Sequence, residues 1–352
     1  MPKQLQEIID EIDAGLTGDD TRDRQYLYAC TEKYKGEPNQ LEIQRHIGRH
    51  VAARLTDEER KGFEEAYNAD VQRNKKILAE IIELVKAKNI DAAEKLMAEH
   101  DMSEGYSPDM AYDDEVTTYL EFENPIEEAY YQLKFKPEKR IADMGIPFKT
   151  SYQIAAFVAV EKKDLDKALR ILEIGLKRCP FAADLLFEQG EVFKMQDRLD
   201  ELYKSMTANS EHLYRRGDIA HYFRNLGWYF SSKQDWDTAI CCYATSAMWQ
   251  EHPMVNNELS YIHQTSKRST EEMTALIQTP DRWKEILAKH SLKVIPVDPL
   301  WVELFAYFGE KAEQSAQYAY AANCFHLHYD LTQSEESKTR LEACFAKLPK
   351  QE

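Results

Sequence analysis

The chain has 352 residues, 43% of them hydrophobic, with only 12 Gly and 12 Pro. That is apolar enough for a packed core and too poor in turn residues for an all-β chain. Its 45 Lys and Arg against 62 Asp and Glu give a formal charge of −17, a field that repels polyanions and excludes nucleic acid and anionic lipid surfaces as expected partners.

The six cysteines (30, 179, 241, 242, 324 and 344) form no Cys-x-x-Cys pair and read as small buried hydrophobes. Residues 1–7 carry no apolar signal core, and no uncharged apolar run of about 18 residues occurs. These features predict a soluble chain of the reducing cytoplasm.

In chain order, the pattern predicts helices over residues 5–12, 21–34 and 40–55, the third presenting Leu41, Ile47, Val51 and Leu55 on one face. Thr56-Asp57-Glu58-Glu59 is a capping-box start for a long helix reaching about residue 88, with a bend expected near Asn68 or Asn74. A shorter helix follows over residues 92–100. Residues 101–118, with Gly105 and Pro108, read as a loop. Asn124-Pro125-Ile126-Glu127 starts a helix that ends near Phe135. A connector over residues 136–148 then separates an N-terminal helical region, residues 1–136, from a second region, residues 149–348.

In the second region helices come in tightly spaced pairs. The first pair carries Tyr152, Ala155, Ala156, Ala159, Ala168, Leu172, Gly175 and Pro180. Gly190 stands one repeat length after Ala156, and Gly227 follows Gly190 after a slightly longer interval. The third pair is the sharpest, with Phe223, Leu226, Gly227, Phe230, Trp236, Ala239 and Tyr243. The last pair has Phe305, Phe308, Gly309, Tyr318, Ala321 and Phe325. Ala156 to Ala168, Gly227 to Ala239 and Gly309 to Ala321 are each 12 residues, whereas Leu202 replaces the small residue in the second pair. Residues 254–300 are helical but off-pattern, and residues 1–148 do not match. These residues resemble the tetratricopeptide repeat, a helix–turn–helix of about 34 residues. The resemblance implies an all-α fold, an α–α superhelix preceded by the N-terminal helical region.

The resemblance further implies a concave face, lined by the first helix of each pair, that takes a protein or peptide. Carried over by position, the groove residues are Gln153, Phe157 and Val160, then Phe187, Glu191 and Lys194, then His221, Arg224, Trp228 and Ser231. Glu303, Ala306, Glu310 and Glu313 belong to the last pair. Phe157 and Trp228 stand where members that grip a C-terminal carboxylate carry Asn, so that clamp is not expected.

His46 and His50 are four apart on a helix and could face one metal ion. Arg45, Arg49 and Arg54 surround them, and cations oppose a metal. The strip Arg45, His46, Arg49 and His50 therefore reads as a solvated basic face or a contact for an acidic partner, and no metal or cofactor is expected. Cys324 and His328 share a helix side and read as packing. The acidic runs Asp19-Asp20, Asp113-Asp114-Glu115 and Glu335-Glu336 lack calcium-loop spacing. With no nucleophile elbow, phosphate loop or His-Glu-x-x-His motif, the expected function is a non-catalytic, protein- or peptide-binding scaffold. The alternatives are a peptide-responsive regulator, similar in layout to bacterial quorum-responsive tetratricopeptide regulators, and an enzyme with a site in the N-terminal region.

Overall fold

The computed structural model describes residues 5–103, 113, 116–143 and 145–348, without the side chain of Leu41. The expectations placed on residues 1–4, Leu41, Gly105, Pro108, Asp114 and Glu115 fall outside the described residues. Among the described residues the chain folds as 18 α-helices, a 3₁₀ turn at Ser210–His212 and two three-residue strands.

Helices α1 (Leu5–Ala14), α2 (Asp20–Lys33) and α3 (Gln40–Ala53) close on their own small core of Ile8, Ile12, Leu27, Cys30, Ile43, Ile47 and Val51. Polar contacts complete it. Asp23 is fully buried and accepts from the Thr17 N–H at 2.7 Å, the Thr17 hydroxyl at 2.8 Å, the Gly18 N–H at 3.1 Å and Arg54 Nε at 3.1 Å. The Thr17 backbone bond comes first among the contacts that hold its carboxyl below the ordinary range.

Helix α4 (Asp57–Lys86) begins at the expected capping box, in which Thr56 and Glu59 satisfy each other's backbone N–H. It runs on as one element through the expected bend. Residues 57–70 are all exposed, and burial begins at Val71. Its last turns pair with α5 (Ile90–Glu99). Ile77, Ile81, Ala93 and Met97 join the large core of the second region, as do Ile126 and Tyr130 of α6 (Pro125–Phe135). The two connectors around α6 hold β1 (Thr117–Tyr119) and β2 (Arg140–Ala142). These strands pair in parallel with Thr118 opposite Ile141, α6 serving as the crossover.

The helix pairs are α7 (Phe148–Glu161) with α8 (Leu165–Arg178), α9 (Ala183–Met195) with α10 (Leu199–Ala208), and α11 (Arg216–Ser232) with α12 (Trp236–Trp249). The last is α16 (Pro299–Gln314) with α17 (Tyr318–Thr332). The small residues let aromatics close the gap between partner helices. A Cβ on Gly227 would come within 2.7 Å of the Tyr243 ring, and one on Gly309 within 2.7 Å of Phe325. Helices α13 (Pro253–Ser266), α14 (Thr270–Ile277) and α15 (Pro280–Ala288) pack on α12, and α18 (Glu335–Ala346) packs on α17.

Every pair closes through the same turn. Lys163, Asp197, Gln234 and Ala316 each adopt a left-handed φ of 56–65°. The following N–H then bonds back five residues, Asp164 to Ala159, Arg198 to Phe193, Asp235 to Phe230 and Gln317 to Ala312, at 2.8–2.9 Å. This is a Schellman closure, which satisfies the carbonyls orphaned at a helix end. The same closure joins α4 to α5, where Lys88 has φ 58° and Asn89 N–H reaches Leu84. Ile81 precedes Ala93 by 12 residues. The α4–α5 pair thus shares the turn of the later pairs, and the spacing of small residues does not reveal it because a large Ile occupies the place that the other units give to Gly or Ala. The chain is an all-α superhelix of tetratricopeptide-like pairs, with α1–α3 closing on a core of their own.

Helix α6 packs against the start of α16 and the segment just before α11. The Tyr130 ring lies 3.9 Å from Trp301 and parallel to it within 3°, while its hydroxyl donates to Asp298 at 3.0 Å. Lys134 pairs with Glu211 and Asp298. Glu127, only 2% exposed, accepts from Tyr214 at 2.7 Å, and burial pushes its carboxyl upward.

Candidate peptide-binding face

The face in question is built from α7, α9 and α11, the first helices of three consecutive pairs. Each also buries an opposite side, with Ala155, Ala156 and Ala159 on α7 and Phe223, Leu226 and Phe230 on α11. That burial fixes the orientation of the remaining residues.

On α9 and α11 the expected groove residues come together. The Phe187 ring stacks on His221 with centroids 4.0 Å apart. Two turns further along, Lys194 pairs with Glu191 at 2.6 Å and places its ammonium 5.3 Å from the centre of the Trp228 ring. This is a cation–π arrangement that also shields part of the indole. Phe187 is buried, whereas Phe157 on α7 is 39% exposed. Gln153 and Phe157 share no hydrogen bond or ring contact with the α9–α11 group. Ser231 is buried. Glu310 and Glu313 on α16 are held by Arg340 of α18 at 2.9 Å each, so the last pair offers them already engaged.

Desolvation shapes the charges of this face. Burial, then Arg224, Lys194 and His252, push His221 down to about 4, so its ring is neutral at pH 7. Arg224 is half-buried and, among the described residues, its hydrogen-bonding partner is the Ser246 hydroxyl, at 3.5 Å. No carboxylate among the described residues lies within ion-pairing distance of it, although the chain carries 62 acids. Burial alone lowers its affinity for the proton. A half-buried guanidinium without a carboxylate retains an uncompensated desolvation cost, which an incoming acceptor would offset.

The basic strip of α3 turns toward acids of the neighbouring helices. His46 Nε2 lies 2.6 Å and His50 Nε2 2.9 Å from the same oxygen, Oδ1 of Asp13 on α1. Arg45 donates to the Asp113 carbonyl, and Arg49 approaches His46 Nδ1 at 3.4 Å. Asp13, His46 and His50 thereby gather three donor atoms within 4.8 Å of one another. Sequence alone misses Asp13, since nothing local links it to a helix two elements further along the chain. Cys324 is buried as expected, and His328 accepts or donates at Ser337, 2.7 Å away.

No helix among the described residues is long and apolar enough to cross a membrane. No family model matches the chain, and no curated protein matches it. Among solved structures it is similar to a chain of the APC/C hetero-tetramer Cut9-Hcn1, at 11% identity and a TM-score of 0.32, over 97% of this chain and 60% of that one. The chain thus spans about three-fifths of the solved chain it matches.

Proposed function

We propose that this protein is a non-catalytic, cytoplasmic scaffold that binds a protein or peptide segment along the face of α7, α9 and α11. The observation that carries this reading is Arg224, a half-buried cation one turn from Trp228 on α11, with no carboxylate among the described residues within ion-pairing distance. Arg and Trp side by side on a partly desolvated surface are the residue types that dominate binding energy at interfaces. A segment bringing an acceptor for the guanidinium and an apolar side chain for Phe157 and Trp228 would use both. In this reading residues 149–348 form the docking array. The N-terminal region, residues 1–136, positions what the array holds, with α4–α6 fastened into the array's core and α1–α3 standing apart.

The test is affinity capture from lysate with the full-length chain and an Arg224→Ala, Trp228→Ala double variant. Partners held by the wild type should be lost or weakened at least about thirtyfold in the variant, the effect of removing one hot-spot side chain. Far-ultraviolet circular dichroism checks that the variant is folded. Equal recovery of every partner by a folded variant would exclude this face as the docking surface.

A further inference from the structure

We propose that Asp13, His46 and His50 form a binding site for a borderline divalent transition ion, Zn²⁺ foremost, that fastens α1 to α3. Both imidazoles present Nε2 to one side, and Asp13 Oδ1 stands opposite both, at 2.6 Å and 2.9 Å. The three donor atoms lie within 4.8 Å of one another. Tetrahedral donors held about 2.0–2.1 Å from zinc are themselves roughly 3.3 Å apart. The two oxygen–nitrogen separations therefore need to open by roughly 0.4–0.7 Å, a shift that rotation of the Asp13 side chain, 46% exposed near the end of α1, supplies, with the two Nε2 atoms at most 4.8 Å apart.

Both histidines stand on a helix that the small core holds. His46 and His50 are one turn apart on α3, flanked by Ile43, Ile47 and Val51, which are buried against Ile8 and Ile12 of α1. The core thus sets the separation of the two ligating helices, as a preorganised site requires. Two nitrogen donors and one carboxylate suit Zn²⁺-class ions and disfavour Mg²⁺ and Ca²⁺, which prefer all-oxygen shells.

The neighbouring arginines are the obstacle that sequence alone raises, and the structure answers it. Arg54 spends its charge on Asp23 at 3.1 Å and on Asp20 at 3.9 Å, and donates to the His50 carbonyl at 3.0 Å. Arg45 donates to the Asp113 carbonyl. The approaches of Arg54 to His50 Nδ1 and of Arg49 to His46 Nδ1 are both 3.4 Å, beyond the ordinary range for an N–H bond. Neither commits an imidazole to the tautomer that would block Nε2.

The full-length chain, stripped with chelator, is titrated with ZnCl₂ by calorimetry, alongside Asp13→Asn and His50→Gln variants. Both changes are at partly exposed positions, and thermal melting without zinc establishes that each variant is folded. The expected result is one ion per wild-type chain, binding weakened at least about tenfold in each variant, since even an outer-shell loss has that effect, and no response to MgCl₂. Zinc raises the melting temperature of the wild type more than that of either variant. Absence of zinc binding, equal binding by wild type and variants, or an equal response to Mg²⁺ would overturn the site. The Arg224 and Trp228 capture experiment is unaffected by any of these outcomes.

Discussion

The α1–α3 unit and the helix-pair array solve the same problem by different means. The array packs large aromatics against Gly and Ala and closes every pair with one repeated turn. The α1–α3 unit has a core of eight buried side chains and relies on contacts between distant polar groups, Asp23 with Arg54 and Asp13 with His46 and His50. Glycine marks the contrast. Gly227 and Gly309 have an aromatic ring where a Cβ would go, whereas Gly48 and Gly62 have nothing within 4 Å. In the array a small residue is an instruction about packing. In α3 and the first half of α4 it is only an exposed position. A repeat unit is thus specified by residues close in sequence, and the N-terminal unit by pairs that belong to different helices and lie far apart along the chain.

The largest effect that would sharpen this contrast lies where α6 meets the last pair. Trp301→Ala removes a fully buried indole stacked on Tyr130 and should cost about 3–5 kcal/mol. Urea unfolding followed by circular dichroism measures it, and a loss below about 1 kcal/mol, well under the usual cost of emptying a buried aromatic site, would mean that the α6 strap does not hold the array. Gly227→Ala comes next. Its methyl forces the Tyr243 ring to move while that ring's hydroxyl is tied to Glu258, at an overpacking cost of about 1–3 kcal/mol.

A pair of opposed titrations on α11 gives a smaller effect. Burial pushes the Asp218 carboxyl up to about 6 and the His221 ring down to about 4. As pH rises from about 4 to 6, the unfolded chain releases the Asp218 proton while the folded chain keeps it, so stability falls. As pH drops from 6.5 to about 4, the unfolded chain protonates His221 while the folded chain does not, so stability falls in the other direction. The two nearly cancel. Asp218→Asn should therefore make the chain less stable at pH 5 than at pH 7 relative to wild type, and His221→Phe the reverse, each by roughly 1–2 kcal/mol after discounting for solvent screening. Urea titrations at both pH values test it, and identical profiles for the three proteins would refute it. Smallest is Gly62→Ala on the exposed half of α4, which should stabilise by about 0.5–1 kcal/mol through helix propensity alone. A loss of stability there would mean that α4 has a neighbour at that position.

Much of the helical plan is legible in the chain. The capping box at Thr56 and the Asn124-Pro125 start stand where their side-chain chemistry predicts, because a cap depends on three or four adjacent residues. The spacing of 12 from Gly or Ala to Ala identifies three helix pairs, since it reports how closely two helices joined by a short turn can approach. It misses α4–α5, where Ile81 hides the same turn. It is also silent on β1 and β2, whose three-residue strands exist only because α6 returns the chain beside itself. Of the candidate site, position along the repeat names Phe187, His221, Lys194 and Trp228, and these side chains do meet. It gives no sign that Glu310 and Glu313 are covered by α18.

From its own spacing, caps and composition the chain determined that it would be all-helical, where most helices start, and that much of its length would stack in pairs, because those properties are set by neighbours within a few turns. Only the tertiary structure decided that Asp13 joins His46 and His50, that Tyr130 lies flat on Trp301, and that no carboxylate among the described residues reaches Arg224. Each depends on which distant segments the burial of apolar faces brings together, and no local pattern encodes that.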